Sequence, residues 1–172
     1  MSTIMIVEDE VSIGLELEEL LESNGYEVIS GATTGLEAIS MARTQCPDLV
    51  LMDIKLPGEM DGIITARLVR QELGIPSVFL TGYGKSEFIE RAKAADPLGY
   101  ILKPLNESQI LAAVEITIDK SDKEKSVREA REQDALAMTK SAEELDSAEK
   151  RFLEKSESLK KLTEAIRILT SL

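Results

Sequence analysis

Within the first 118 residues, five short apolar runs each end at a turn and give way to a stretch whose apolar residues recur at helical spacing. That alternation constrains the fold more than any other feature. Strands this apolar must be buried on both faces, and the chain between them can only supply helices as covers. The runs are residues 3–7 (TIMIV), 26–29, 49–52 (LVLM, leading into Asp53), 77–81 (SVFLT) and 98–102. Between them, Ser12 is placed to cap a helix with the stripe Ile13, Leu17, Leu20 and Leu21, which Asn24-Gly25 stops. Further helices are expected over 34–43, from Asp61-Gly62 onward, over 86–95, and from Asn106 with Ile110, Leu111, Val114 and Ile118 buried. The prediction is an α/β fold, a five-stranded parallel sheet with helices on both faces, its crossovers right-handed.

In such a sheet, ligands bind outside the carboxyl ends of the strands. Glu8 and Asp9 follow the first run, Asp53 ends the third, Thr81 ends the fourth and Lys103 follows the fifth, so all five converge on that edge. Carboxylates gathered there repel each other by roughly 4 kcal/mol per close pair at ~4 Å and an effective dielectric of ~20. They need a cation. Oxygen ligands without His or Cys point to Mg²⁺, which keeps waters and shares its ligands with phosphoryl groups. Lys103 adds positive charge, and the Thr81 hydroxyl with the Gly82 N–H can hold phosphoryl oxygens. The chemistry this favours is phosphoryl transfer to a carboxylate nucleophile.

Charge and composition exclude other classes. The formal net charge is −12, and residues 1–118 hold 8 Lys and Arg against 19 Asp and Glu, whereas 119–172 hold 12 against 13. This is not the basic footprint of a nucleic-acid binder. Histidine is absent, which removes imidazole catalysis, imidazole metal ligands and any phosphohistidine carrier. A lone cysteine, Cys46, forms no intrachain disulfide and reads as a small filler before Pro47. No run reaches the ~18 apolar residues of a membrane span and no signal peptide is visible, so the expected location is cytoplasmic.

The motifs IMIVEDE (4–10), VLMDIKLPG (50–58) with Asp61-Gly62, VFLTGYG (78–84) and GYILKP (99–104) together resemble the receiver domain of a two-component response regulator. The resemblance covers residues 1–118 and implies a flavodoxin-like, CheY-like sheet of order 2-1-3-4-5. It implies that Asp53 is the phospho-acceptor and that Glu8, Asp9, Asp53 and the Lys55 backbone carbonyl bind Mg²⁺, Glu8 partly through water. The Ile54 and Gly82 N–H groups would contact the phosphoryl oxygens, Thr81 would be the switch hydroxyl, Lys103 the phosphoryl-contacting lysine and Tyr100 the switch aromatic. Lys103-Pro104 resembles the family's cis peptide. The phosphoryl donor would be a separate histidine kinase, and the chain would not be a turnover enzyme. Asp96-Pro97-Leu98 departs from the small-residue run of many receivers. In the family, the positions of Lys55 and Tyr83 tune phosphate lifetime; bulky Tyr83 is expected to shield the acyl-phosphate, so Tyr83→Ala should speed its loss.

Residues 119–172 form the second part. From Asn106 to Leu172 there is neither Gly nor Pro, so helix is expected throughout; Ser121-x-x-Glu124 and Ser141-x-x-Glu144 read as capping boxes, so the expectation is either one long helix or two or three in series. From Leu145 the pattern is heptad: Leu145, Ala148, Phe152, Lys155, Leu159, Leu162, Ile166 and Leu169, with Lys155 alone breaking the seam. A coiled coil is expected, with a hairpin onto residues 122–138 as the alternative. No helix-turn-helix is visible. The expected output is a helix-mediated protein contact, including a homodimer through this tail or through the face of helix 86–95, the fifth strand and the helix after it. Three alternatives stand: a transcription regulator acting on DNA through a dimerised tail, a receiver and connector cut from a larger sensor protein, and a Mg²⁺-dependent phosphohydrolase.

Overall fold

The computed structural model describes residues 2–82 and 97–169. The elements are β1 (Thr3–Val7), α1 (Val11–Ser23), β2 (Glu27–Ala32), α2 (Gly35–Gln45), β3 (Leu49–Asp53), α3 (Gly62–Leu73), β4 (Ser77–Thr81), β5 (Gly99–Leu102) and α4 (Glu107–Leu169). The strands pair in parallel in the order β2-β1-β3-β4-β5, the flavodoxin-like arrangement. Register is continuous across the centre, with Ile4 beside Leu49 and Asp53 beside Leu80.

Strand periodicity divides the core into two layers. Met5, Val7, Val50, Met52 and Phe79 face α2 and α3 through Ala38, Ala42, Ile63, Ala66 and Val69. Ile4, Ile6, Leu49, Leu51, Val78, Leu80 and Ile101 face α1 and the start of α4 through Leu17, Leu21, Ile110 and Val114. All five residues of β3 and of β4 are buried, as strands covered on both sides require.

Local chemistry sets most boundaries. Thr34 caps α2, accepting from the Glu37 N–H while Glu37 reaches back to the Thr34 N–H, a full capping box. Asp61 caps α3 through the Ile64 N–H at 2.9 Å. The Asn106 side chain accepts from the Gln109 N–H at the start of α4. Three expectations shift. Helix α1 starts at Val11 behind Glu10, with no side-chain cap, so Ser12 lies inside it. Strand β2 runs on to Ala32 rather than stopping at Ile29. Cys46 is exposed in a left-handed conformation (φ 46°) that closes α2, so it ends a helix and fills no gap. The expected helix over 86–95 lies outside the described residues, and so does Tyr83.

The chain divides into two compact units, residues 1–123 and 124–172. In the first, the α4 face carries buried Ile110, Val114, Thr117 and Ser121, so packing reaches past residue 118. In the second, residues 124–168 are almost wholly exposed helix. Neither capping-box signature divides α4, since without Gly or Pro nothing offers the backbone a better alternative than helix. No turn for a hairpin interrupts the described tail. Among the described residues no helix is long and apolar enough to cross a membrane.

Candidate functional site

Parallel pairing of β1, β3, β4 and β5 brings their carboxyl ends to one edge, and the expected polar residues meet there. Glu8 follows β1 directly, its own N–H tied to the Ala32 carbonyl at 3.1 Å. Asp53 is the last residue of β3, and Thr81 the last of β4. Lys103 follows β5, where its N–H donates to the Thr81 carbonyl at 2.8 Å and its bond to Pro104 is cis. One carboxylate oxygen from each of Glu8, Asp9 and Asp53 lies within 4.8 Å of the others. Glu8, Asp53 and Thr81 are buried, while Asp9 opens to solvent.

The Lys103 ammonium bridges two of these acids. Its Nζ donates to Glu8 Oε2 at 2.8 Å and to Asp53 Oδ2 at 2.9 Å. Burial works against the charged lysine, but the two hydrogen bonds and the two negative charges together outweigh it and hold its pKa above 10.5. Glu8 shows the opposite balance. Burial pushes its carboxyl above 4.5, the Lys103 hydrogen bond pulls it back in part, and the nearby Asp53 charge raises it again. A pocket with more acid than one ammonium can neutralise fits a hard divalent cation, and its donors are all oxygen.

The second Asp53 oxygen, Oδ1, accepts the Lys55 N–H at 3.1 Å. The Ile54 N–H, expected to contact the phosphoryl oxygens, points to the Leu80 carbonyl at 3.3 Å. Pairing of β3 with β4 thus extends one residue past Asp53, and that last rung engages the Ile54 donor. Gly82 follows at the same edge with open space where a Cβ would stand. Tyr100 is 41% exposed, its ring centroid 5.9 Å from that of Phe79.

Gly62 is a residue whose role at this edge was not foreseen. The sequence marks it as a helix start and part of the receiver motif; a Cβ there would lie 1.8 Å from the Asp53 carbonyl oxygen and 2.8 Å from its carbonyl carbon. Its N–H also donates to the Ile54 carbonyl at 3.0 Å. The N-terminus of α3 is thus laid directly on the end of β3. The adjacent Asp-Gly pair was the available signal, because glycine beside a helix cap also marks close backbone approach. A cavity of about 370 Å³ between α1 and the start of α4, lined by Glu16, Leu17, Leu20, Leu105 and Ile110, includes none of the three clustered acids.

Comparison with known proteins agrees with this geometry. The family model described as the response regulator receiver domain matches residues 4–115. The chain is similar to the transcriptional regulatory protein PdtaR of Mycobacterium tuberculosis, with 36% identity over 117 residues that cover 68% of this chain and 57% of that protein. It is thus matched to little more than half the length of that relative. Similarity to sporulation initiation phosphotransferase F of Bacillus subtilis is 36% over 112 residues, covering 64% of this chain and 89% of that one. Among solved structures, the signal receiver domain of a modulated diguanylate cyclase from Desulfovibrio desulfuricans G20 superimposes with a TM-score of 0.69 at 34% identity, covering 72% of this chain and 98% of that one.

Proposed function

The chain belongs to the response regulator receiver domain family of two-component systems, and from that premise we propose that Asp53 accepts a phosphoryl group from a histidine kinase and that the tail passes the change to a protein partner. The observation that carries the reading is the Lys103 ammonium held between Glu8 and Asp53 beside a third acid. A carboxylate oxygen of Asp53 attacks phosphorus; the new P–O bond forms as the P–N bond to the kinase imidazole breaks, and the imidazole leaves. Glu8, Asp9, Asp53 and the Lys55 carbonyl would hold Mg²⁺, which would supply neutralisation of charge on the phosphoryl oxygens.

The remaining groups position and report. Lys103 moves its hydrogen bond from Asp53 to a phosphoryl oxygen, and the Thr81 hydroxyl and Gly82 N–H take others. Movement of Thr81 draws the exposed Tyr100 ring inward and changes the β5 face. A local charge change thereby biases an element with two arrangements. The protein acts in the cytoplasm as a switch without substrate turnover, and its output is protein contact, since a net charge of −12 opposes binding to nucleic acid.

The test is intact-mass spectrometry after incubation with acetyl phosphate and Mg²⁺. The wild-type chain should gain one phosphoryl group and Asp53→Asn none, and chelating the metal should abolish the gain. Equal labelling of both proteins overturns the assignment.

A further inference from the structure

The exposed helix of residues 124–168 carries an apolar strip that water does not favour. Met138, Leu145, Phe152, Leu159 and Ile166 recur every seven residues, and each is more than half exposed. Leu162, also more than half exposed, lies on the same strip with Ser141, Ala148 and Lys155. The strip amounts to on the order of 500 Å² of apolar surface, at the upper end of what a monomer leaves open.

Its period says what covers it. A straight helix has 3.6 residues per turn, so a strict seven-residue repeat drifts ~20° per heptad away from any flat surface. Four seven-residue steps without a skip keep facing a partner only if that partner is a helix wound around them. Charge favours a second copy of this chain as that helix. Residues 119–172 are nearly neutral, with 12 basic against 13 acidic side chains, so two tails approach without net repulsion.

Lys155 decides the orientation. In a parallel, in-register pair, the two Lys155 ammonium groups meet in one core layer, and Glu144 flanks the second copy's Glu149 on both sides. Both juxtapositions are repulsive. Antiparallel pairing about a two-fold axis level with the peptide between Leu153 and Glu154 removes them. Leu145 then meets the second copy's Leu162, small Ala148 meets Leu159, and Lys155 meets Phe152, with Glu149 beside Ser156. The Lys155 stem covers the ring edge while its ammonium reaches the ring face or water. This register also overlaps the two strips along their whole length.

We propose that residues 138–169 pair with the same residues of a second copy as an antiparallel two-stranded coiled coil in which Lys155 lies against the second copy's Phe152. The proposal rests on the reading of the tail as a pairing helix and is independent of the chemistry at Asp53.

The test uses the full chain. Cys46 is replaced by serine, exposed Lys140 by cysteine, and a nitroxide is attached there for pulsed electron paramagnetic resonance, with light scattering for mass. Antiparallel pairing sets the two labels about 40 Å apart along the axis at 1.5 Å per residue, whereas parallel pairing leaves them roughly one coil width apart, ~20 Å. A dimer with the long distance supports the proposal. A dimer with the short distance overturns the orientation and leaves the pairing helix standing; a monomer or trimer overturns both. Phe152→Ala should weaken dimerisation by at least about tenfold. Lys155→Leu should introduce a short-distance population, and an unchanged distribution overturns the role given to Lys155.

Discussion

Replacing Lys103 by methionine keeps the apolar stem and removes the ammonium that bridges Glu8 and Asp53. The lost contacts, at 2.8 and 2.9 Å, are each worth about 6 kcal/mol of Coulomb energy at an effective dielectric of ~20. Most of that is offset by the desolvation cost the ammonium no longer bears, several kcal/mol. Glu8 and Asp53 are left facing each other with less to neutralise them. Breaking a buried pair in this way costs about 3–5 kcal/mol, and because the Lys103 side chain is 19% exposed, the lower end applies, ~3 kcal/mol. All three tyrosines lie within residues 1–123, so tyrosine emission during urea unfolding follows this unit without the tail. Without metal, Lys103→Met should show the full deficit at neutral pH, and saturating Mg²⁺ should close most of it. The pH dependence has a fixed sign. A carboxyl whose folded pKa is raised stabilises the fold fully below its unfolded value, 4.5 for Glu8, and loses that contribution as pH rises through the folded value. Removing Lys103 pushes Glu8 higher still, so the deficit should be small near pH 4.5 and grow as Glu8 ionises. Metal-free variant and wild type with the same midpoint at neutral pH refute the reasoning.

Three other perturbations follow from local geometry. Gly62→Ala forces a Cβ against the Asp53 peptide; it should destabilise the fold by about 3 kcal/mol or more and slow acetyl phosphate labelling beyond a core control of equal stability, Val69→Ala. Thr34→Ala removes the α2 cap and should cost about 1 kcal/mol by urea unfolding. Hydrogen bonds from the Thr33 N–H, the Thr33 hydroxyl and Thr34 hold the Glu37 carboxyl below 4.5, so that contribution is present above pH 4.5 and lost as pH falls through the lowered value; a carbon-detected NMR titration of Glu37 should read below 4.5. Cys46→Gly relieves a left-handed residue at an exposed helix end and should raise stability by about 0.5–1 kcal/mol, measured by the same urea unfolding.

Much of this molecule was legible because its signals are redundant. The strands at 49–53 and 77–81 are apolar on both faces, and in a parallel sheet that leaves one arrangement, which also fixes the edge where Asp53, Thr81 and Lys103 emerge. The misses have local physical causes. Ser12 looked like a cap because it is the right residue type one position late, and the backbone entered the helix at Val11 behind Glu10. The Ile54 N–H was assigned to the site by resemblance, but the β3–β4 ladder continues one rung further and uses it. The contact of Gly62 with the end of β3 was not legible because close backbone approach leaves no trace in hydropathy. In the tail, one helix and a series of helices were both open from the sequence; the helix is continuous, because capping signatures end a helix only where the chain before them can leave it.

The central claim is that one carboxylate, Asp53, takes the phosphoryl group. Phosphorylation with acetyl phosphate and Mg²⁺, reduction of the acyl-phosphate with borohydride and peptide mass spectrometry test it at the level of the residue. Acceptance at Asp53 predicts homoserine at position 53; homoserine at position 9, hydroxynorvaline at position 8, or no reduced residue at all contradicts it.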